Sequence, residues 1–192
     1  MNDSTLASPL RVGLVGYGIA GSVFHAPLIA ATDGLVLDTV VTSDPGRQAQ
    51  ARATYPDVHV AESADQLWTR DGTDGLPRLD LVVIASPNRT HVPFATAALT
   101  AGIPVVVDKP LAATAAEARG LAALAERTGT FLSVFQNRRW DNDFLTLRRL
   151  IADGRLGEIQ RFESRFEVWW PDLTGGWRES GVPEDVGGAL YD

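Results

Sequence analysis

One lysine stands out among the residues of this sequence that could take part in chemistry. The chain has 17 basic residues, and Lys109 is the only lysine among them. It lies just after an apolar run, residues 104–107, and between Asp108 and Pro110. A lysine can give up its proton when its environment changes, whereas an arginine stays charged in proteins. An ammonium group at the end of a buried strand is therefore a candidate for hydrogen bonding a substrate hydroxyl and stabilising its developing alkoxide.

A glycine-rich stretch near the N-terminus is the second candidate. It reads G-x-G-x-x-G, follows the apolar run 10–15 directly and precedes a predicted helix. In that context Gly16 allows a tight turn, Gly18 lets a pyrophosphate approach the backbone, and Gly21 packs helix against strand. We expect six residues to bind a dinucleotide there: Gly16, Tyr17, Gly18, Ile19, Ala20 and Gly21. The alternative is a glycine-rich turn in an unrelated α/β domain.

The end of the second predicted strand, 35–41, bears on the choice between NAD and NADP. An acidic residue at this position would bind the ribose 2′-hydroxyl of NAD. The chain instead has the small residues Thr42 and Ser43, with Arg47 one turn further on, while Asp44 suits the N-cap of the next helix. This pattern favours NADP, contacted by Thr42 and Ser43. The alternative is that Asp44 also reaches the ribose and NAD binds.

A third cluster follows the apolar run 81–85, at the sheet edge where open α/β folds bind ligands. We expect four residues of this cluster to contact the cofactor: Ser86, Pro87, Asn88 and His91. His91 has the chemistry of a general acid or base, but the prediction is a helix-face position without proton transfer. His25 is expected to be structural, and His59 has no predicted function. Three scattered histidines and no cysteine predict no metal site.

The elements that position these residues alternate along the chain. Six apolar runs predict strands: 10–15, 35–41, 58–60, 81–85, 104–107 and 131–135. Capping boxes that begin at Ser63 and Thr114 predict helix starts, and Gly129 predicts a helix end. Strands that alternate with helices form right-handed βαβ units. The fold class is therefore α/β, a doubly wound parallel sheet of the Rossmann type, over residues 9–135.

The pattern changes over residues 136–192, which we expect to be the beginning of an incomplete α+β domain. A helix is predicted over 141–153. Apolar and charged residues then alternate over 158–170, which predicts a strand with one wet face, and a loop over 171–187 follows. One strand cannot form a stable sheet alone, so further chain or a partner must complete it. Without one, the apolar face would cause self-association.

Composition excludes several classes of function. With 45% hydrophobic and 21% charged residues among 192, the chain has the composition of a folded globular protein. No apolar run approaches the roughly 18 residues of a membrane helix. A net charge of -7 argues against nucleic acid as the main partner. The N-terminus has no signal-peptide pattern, so the expected compartment is the cytoplasm.

Five motifs, taken in order, resemble the Gfo/Idh/MocA oxidoreductases, the family of glucose-fructose oxidoreductase and inositol dehydrogenase. The motifs are Gly16 to Gly21 with Phe24-His25-x-Pro27, Ser86-Pro87-Asn88-x-x-His91, Asp108-Lys109-Pro110, Gln136-Asn137-Arg138-Arg139-Trp140-Asp141, and Gly154-x-Leu156-Gly157-Glu158-Ile159. The resemblance runs from about Arg11 to the last residue and does not identify a substrate.

The resemblance implies hydride transfer between NAD(P) and a sugar, cyclitol or related polyol. Lys109 would bind cofactor and substrate, and Asp108 stands where the family has Glu. Asn137 would contact the cofactor, and Arg139 would contact substrate at the cleft between domains. Asp192 matches the Asp of the family's Asp-x-Gly-x-His motif, which orients the substrate. The histidine of that motif is not among these residues, so a chain truncated within the second domain is expected; the complete domain would form a homo-oligomer.

A second function remains open, that of a non-catalytic dinucleotide-binding or regulatory protein that keeps the Rossmann domain. The missing histidine and the short second domain favour it, whereas Lys109 in its motif argues against it. A steady-state assay with a panel of polyols separates the two, because a sensor binds without turnover. A purely structural α/β domain would require all five motifs to be coincidence.

Overall fold

The computed structural model describes residues 8–73, 75–167, 169, 171–172, 175–176 and 179–188. Within them lies one six-stranded sheet in which every neighbouring pair is parallel. The strands are β1 (Leu10–Val15), β2 (Leu35–Val41), β3 (His59–Ala61), β4 (Leu81–Ile84), β5 (Val105–Asp108) and β6 (Leu132–Phe135). Their spatial order, β3-β2-β1-β4-β5-β6, is that of a Rossmann domain. The predicted fold class is confirmed, with strand ends within one residue of those expected.

Helices connect the strands. A π-helical turn, Ala20–His25, leads into α1 (Ala26–Ala31). The remaining helices are α2 (Pro45–Thr54), α3 (Asp65–Trp68), α4 (His91–Thr100), α5 (Ala115–Thr128) and α6 (Asn142–Ala152). No helix of the described residues is long and apolar enough to cross a membrane.

The sheet carries a hydrophobic core on each face. One core cluster contains Leu99 of α4 and Leu121 of α5, and the other contains Ile29 of α1 and Ala51 of α2. Successive strand residues belong to opposite clusters, as Val82 and Val83 show. Such strands are buried on both faces, which explains the nearly continuous apolar runs in the sequence.

Local capping explains where several helices begin and end. Asp44 caps α2, since its Oδ1 accepts the Arg47 backbone N–H at 2.8 Å. The capping box between Thr114 and Glu117 is confirmed, as is the left-handed cap at Gly129, where φ is 64°. The capping box predicted at Ser63 and Gln66 is wrong, because α3 has Ala64 as its N-cap and no side-chain cap bond. The Ser63 hydroxyl instead donates to the Asp65 carboxylate at 2.9 Å and accepts the Asp65 backbone N–H at 3.2 Å.

The chain after β6 agrees with the sequence only in part. Helix α6 matches the prediction over 141–153. The strand predicted over 158–170 is wrong for residues 158–167, which form no strand; Val168 and Trp170 lie outside the described residues. Phe162 and Phe166 are 65% and 80% exposed, so this apolar face is uncovered. A strand needs hydrogen bonds from a neighbour, and no described residue supplies them. The domain boundary at 135 stays a prediction.

Candidate functional site

The strand register brings the chemically interesting residues to one edge of the sheet. Val15 pairs with Val41 and Ile84, Ile84 pairs with Val107, and Asp108 pairs with Phe135. The strands therefore end at nearly the same level. The strand order reverses between β1 and β4, and open α/β sheets bind ligands in the crevice at that point.

The glycine loop after β1 fits the three roles expected from its spacing. Gly16 has φ of +99°, and a Cβ there would lie 2.6 Å from the Ala85 carbonyl oxygen. A Cβ at Gly21 would lie 2.0 Å from the Gly16 carbonyl oxygen, so the helix packs directly on the loop. A Cβ at Gly18 would meet only the Arg47 Nη1 within 4 Å, at 3.9 Å. The backbone at Gly18 is therefore open to a ligand.

A cleft of about 730 Å³ extends from this loop across the sheet edge. With the exception of Gly21, the predicted cofactor-binding residues line it: Gly16, Tyr17, Gly18, Ile19, Ala20, Thr42, Ser43, Ser86, Pro87, Asn88, His91, Asp108, Lys109 and Asn137. Gly21 is buried beneath the loop, where it allows the close packing described above. Open glycine backbone at a helix N-terminus, next to a cleft of this volume, fits a dinucleotide.

At the end of β2 the cleft is lined by small hydroxyl residues and a cation. Thr42, Ser43 and Arg47 line it, whereas Asp44 does not. The Asp44 carboxylate instead caps α2. Glu62, which follows β3, also lines the cleft and was not predicted. The strand-end argument that singled out Thr42 would have found Glu62 as well.

His91 connects two loops of the cleft. Its side chain is 1% exposed, with Nδ1 2.7 Å from the Pro110 carbonyl oxygen and Nε2 2.9 Å from the Ser86 carbonyl oxygen. Both ring nitrogens therefore face backbone acceptors. This geometry suits the helix-face position without proton transfer that the sequence predicts.

Lys109 follows β5 and lines the same cleft. Its backbone N–H donates to Oδ1 of Asp108 at 2.8 Å, and the Lys109–Pro110 peptide bond is cis. The other Asp108 oxygen lies 3.6 Å from Nε2 of the buried His25. The lysine is thus presented at a turn that its neighbour's carboxylate holds.

A segment late in the chain packs against the turn after β4, and sequence reasoning missed it. Asn88 Nδ2 donates to the Asp185 carbonyl oxygen at 2.8 Å, and Arg89 pairs with the Asp185 carboxylate at 2.8 Å. Ser180 donates to the same carboxylate at 2.6 Å. Asp185 is only 6% exposed. The Asn88 amide nitrogen is therefore engaged by the segment 179–188.

The residues after β6 differ in how they meet the cleft. Asn137 lines it, whereas Arg139 is exposed on the same short 3₁₀ turn and is not among the lining residues. Arg138 pairs with Asp141 at 2.8 Å, and this bond raises the pKa of the guanidinium. Asp192 lies outside the described residues. Phe24, Phe94 and Phe135 also line the cleft. None of them has a predicted role in the site, although Phe24 is part of the Phe24-His25-x-Pro27 motif.

Tyr17 lines the cleft, yet its side chain is only 3% exposed and belongs to the core. Burial raises the pKa of the Tyr17 phenol above its ordinary value of 10.0. The neighbouring Tyr55 raises it further, and a hydrogen bond with the Thr54 side chain opposes the shift. Folding therefore favours the neutral phenol.

This shift predicts a loss of stability in alkali. The contribution of Tyr17 is fully present below the unfolded-state pKa of 10.0 and decreases as pH rises toward the folded-state value. We expect the urea midpoint of Tyr17→Phe to fall less steeply than that of the wild type above about pH 10. Equilibrium unfolding at several pH values measures this, and parallel curves would contradict it.

Among the described residues, no group of three or more His, Asp or Glu side chains forms a candidate metal site.

A doubly wound parallel sheet with a glycine-lined cleft where the strand order reverses defines a nucleotide-binding protein of the Rossmann class. Residues 10–136 match the model of the Gfo/Idh/MocA oxidoreductase family with its NAD-binding Rossmann fold, and residues 144–192 match the C-terminal domain of the same family. The chain belongs to the Gfo/Idh/MocA oxidoreductase family.

Named relatives and a solved structure support the assignment. The chain is 47% identical to the uncharacterized oxidoreductase YdgJ of Escherichia coli, over 97% of this chain and 51% of that protein. It is 36% identical to the scyllo-inositol 2-dehydrogenase (NADP⁺) IolW of Bacillus subtilis, over 95% and 48%. A structure of a Yersinia pestis protein described as an oxidoreductase has a TM-score of 0.83 and 44% identity, over 96% and 49%. The chain spans about half the length of the relatives it matches.

Proposed function

We propose that this chain carries the cofactor domain of an oxidoreductase that transfers hydride between NADP and a sugar, cyclitol or related polyol. The observation that carries the proposal is the presence of Lys109 in the same cleft as the open backbone of Gly18. The similarity to a scyllo-inositol 2-dehydrogenase supports the polyol class. The proposed location is the cytoplasm.

The residues of the cleft would have different roles in binding and in the reaction. The loop around Gly18 binds the pyrophosphate through its backbone. A bound nicotinamide supplies the hydride chemistry. Lys109 donates a hydrogen bond to the reacting oxygen of the substrate and stabilises the negative charge that develops there when a hydroxyl is oxidised. In that direction the hydroxyl proton would pass to the histidine of the family's Asp-x-Gly-x-His motif, which is not among these residues, or to Asp192 or water.

The rest of the substrate site is proposed to lie beyond the glycine-rich cleft. Arg139 would contact substrate from the 3₁₀ turn that also carries Asn137. Asn137 would contact the cofactor, since it lines the cleft. The second domain would supply the remaining substrate contacts and, when complete, the surface of a homo-oligomer.

The preference for NADP is argued from the end of β2. Arg47 lines the cleft and lies close to the glycine loop, since its Nη1 would be 3.9 Å from a Cβ at Gly18. A guanidinium in the cleft that Ser43 also lines suits a 2′-phosphate. Glu62 lines the cleft too, and a carboxylate would favour the free ribose hydroxyls of NAD. We propose that Arg47 decides the preference, because Asp44 is committed to its helix cap.

Removing the Arg47 side chain tests this preference. A hydrogen-bonded charge pair contributes about 1.5–3 kcal/mol, so we expect Arg47→Ala to raise the Kd for NADPH by about 10- to 100-fold. The Kd for NADH should stay near its wild-type value. Calorimetric titration measures both, with Arg52→Ala on the same helix as the control.

The preference for NADP would be contradicted if Arg47→Ala weakened NADH as much as NADPH, or weakened neither. Equal weakening would mean that Arg47 contacts a part common to both dinucleotides. Unchanged binding of both dinucleotides would mean that Arg47 contacts neither. Asp44 or Glu62 would then contact the ribose of NAD.

The activity itself is tested on the whole protein with a panel of sugars, cyclitols and polyols and saturating NADP. The proposal expects reduced nicotinamide to accumulate with at least one of them. Tight dinucleotide binding without turnover on any of them would instead favour the non-catalytic, regulatory function.

A further inference from the structure

We propose that His25 is a positioning residue that orients Lys109 through the carboxylate of Asp108. The inference rests on the proposed function, because it assigns His25 a role only if Lys109 acts on substrate. It changes the expectation from sequence, in which His25 had no role beyond structure.

The environment of His25 is unusual for a purely structural histidine. The residue is 4% exposed, and its Nε2 is buried with no hydrogen-bond partner within the described part of the chain. A buried polar atom without a partner is unfavourable, because its hydrogen bonds to water are lost and not replaced. The Asp108 Oδ2 lies 3.6 Å from this nitrogen, slightly beyond hydrogen-bond distance. The imidazole is therefore directed at the one carboxylate that adjoins Lys109 in sequence.

Asp108 links the imidazole to the lysine. Its Oδ1 accepts the Lys109 backbone N–H at 2.8 Å, while its Oδ2 faces His25. The carboxylate thus has one oxygen hydrogen bonded to the lysine backbone and the other directed at the imidazole. Rotation of this carboxylate would break the Lys109 bond and shift the backbone that presents the ammonium.

Phe135 and the glycine loop fix the other side of the arrangement. The Phe135 ring packs on the His25 ring with centroids 4.4 Å apart, and Phe135 itself lines the cleft. His25 ends the π-helical turn that starts at Ala20, inside the glycine loop. His25 thus joins the loop that binds the dinucleotide to the turn that presents Lys109.

The single lysine makes a direct measurement possible. In this 192-residue chain, labelling with [α-¹⁵N]lysine gives one backbone amide resonance, that of the N–H which donates to Asp108. His25→Phe keeps an aromatic ring against Phe135 but removes Nε2, and Asp108→Asn removes the carboxylate. We expect each variant to shift this resonance several times more than the control His59→Phe, a histidine at the start of β3.

Three further comparisons separate positioning from simple packing. If His25 acts through Asp108, the double variant shifts the resonance no further than the larger single shift. His25→Gln, which keeps an N–H donor, should return the resonance toward its wild-type position. In the whole protein, His25→Phe should lower kcat about 10-fold and leave the KM for NADPH nearly unchanged, since misplacement affects the reacting geometry.

The proposal is overturned if His25→Phe leaves the Lys109 resonance unmoved, if the shifts of the two single variants add, or if His25→Gln behaves as His25→Phe does. The resonance requires no turnover, so failure of the proposed oxidoreductase function would be visible separately, as an inactive protein with coupled shifts.

Discussion

Replacing Lys109 with alanine is expected to lower the kcat of the whole protein by about 10²- to 10⁴-fold, the usual contribution of a positioned proton-transfer or charge-stabilising group. The Kd for the dinucleotide should stay near its wild-type value. The reason is the proposed division of the cleft, in which open glycine backbone would bind the cofactor and the lysine would act on the reacting oxygen. Steady-state kinetics with the best polyol and calorimetric titration of NADPH measure the two quantities.

Two further variants serve as comparisons for Lys109→Ala. Lys109→Arg keeps the positive charge but not the small ammonium or its ability to lose a proton, so it should restore little of the lost turnover. Arg119→Ala removes an exposed cation from α5 and should leave turnover unchanged. Normal turnover of Lys109→Ala would remove the lysine from the chemistry, and equal loss of turnover and NADPH binding would make it a cofactor ligand only.

Substitutions in the glycine loop are expected to have the second large effect, a loss of NADPH binding. Their effect on the free energy of unfolding depends on which glycine is replaced. A side chain at Gly18 would meet only the Arg47 guanidinium nearby and would extend into the cleft. We expect Gly18→Val to abolish measurable NADPH binding and to leave the free energy of unfolding within about 1 kcal/mol of the wild type.

Gly21 is the matched position in the same loop. A Cβ there would lie 2.0 Å from the Gly16 carbonyl oxygen, so backbone would have to move. We expect Gly21→Ala to lower the free energy of unfolding by about 1–3 kcal/mol or more, as overpacking does, and to lose NADPH binding too. Urea unfolding and calorimetric titration of both variants distinguish two causes of lost binding. Gly18→Val blocks the cleft without loss of stability, whereas Gly21→Ala displaces the loop and lowers the free energy of unfolding. NADPH binding by Gly18→Val at wild-type strength would show that the dinucleotide does not approach the loop.

The sheet could be predicted from the sequence because the features that indicate its strands and helix ends lie within a few consecutive residues. Buried parallel strands give continuous apolar runs, and the caps at Asp44, Thr114 and Gly129 mark helix ends within a few residues. The errors arose where a competing neighbour or a distant partner decides the outcome. At Ser63, the hydroxyl bonds to Asp65 through both its hydrogen and its oxygen, and Ala64 is the N-cap of α3. Over 158–170, alternation indicated a strand whose hydrogen-bond partners no described residue provides.

In the candidate site, too, local sequence features could be predicted and contacts between distant residues could not. The G-x-G-x-x-G spacing indicated the glycine loop, the single lysine indicated Lys109, and the rule that ligands bind at the carboxyl ends of parallel strands indicated Thr42 and Ser86. All of them line the cleft. These features could not indicate Asp185, which contacts Asn88 across 97 residues of sequence. Nor could they indicate the packing of His25 against Phe135, since that contact depends on how a helical turn and a distant strand meet.

The most direct test of cofactor binding in this cleft is a calorimetric titration of this chain with NADPH, beside the Gly18→Val variant. We expect saturable binding of one NADPH per chain in the micromolar range, lost in Gly18→Val while the fold persists. The absence of saturable binding of either NADPH or NADH to the folded wild-type chain would contradict this expectation.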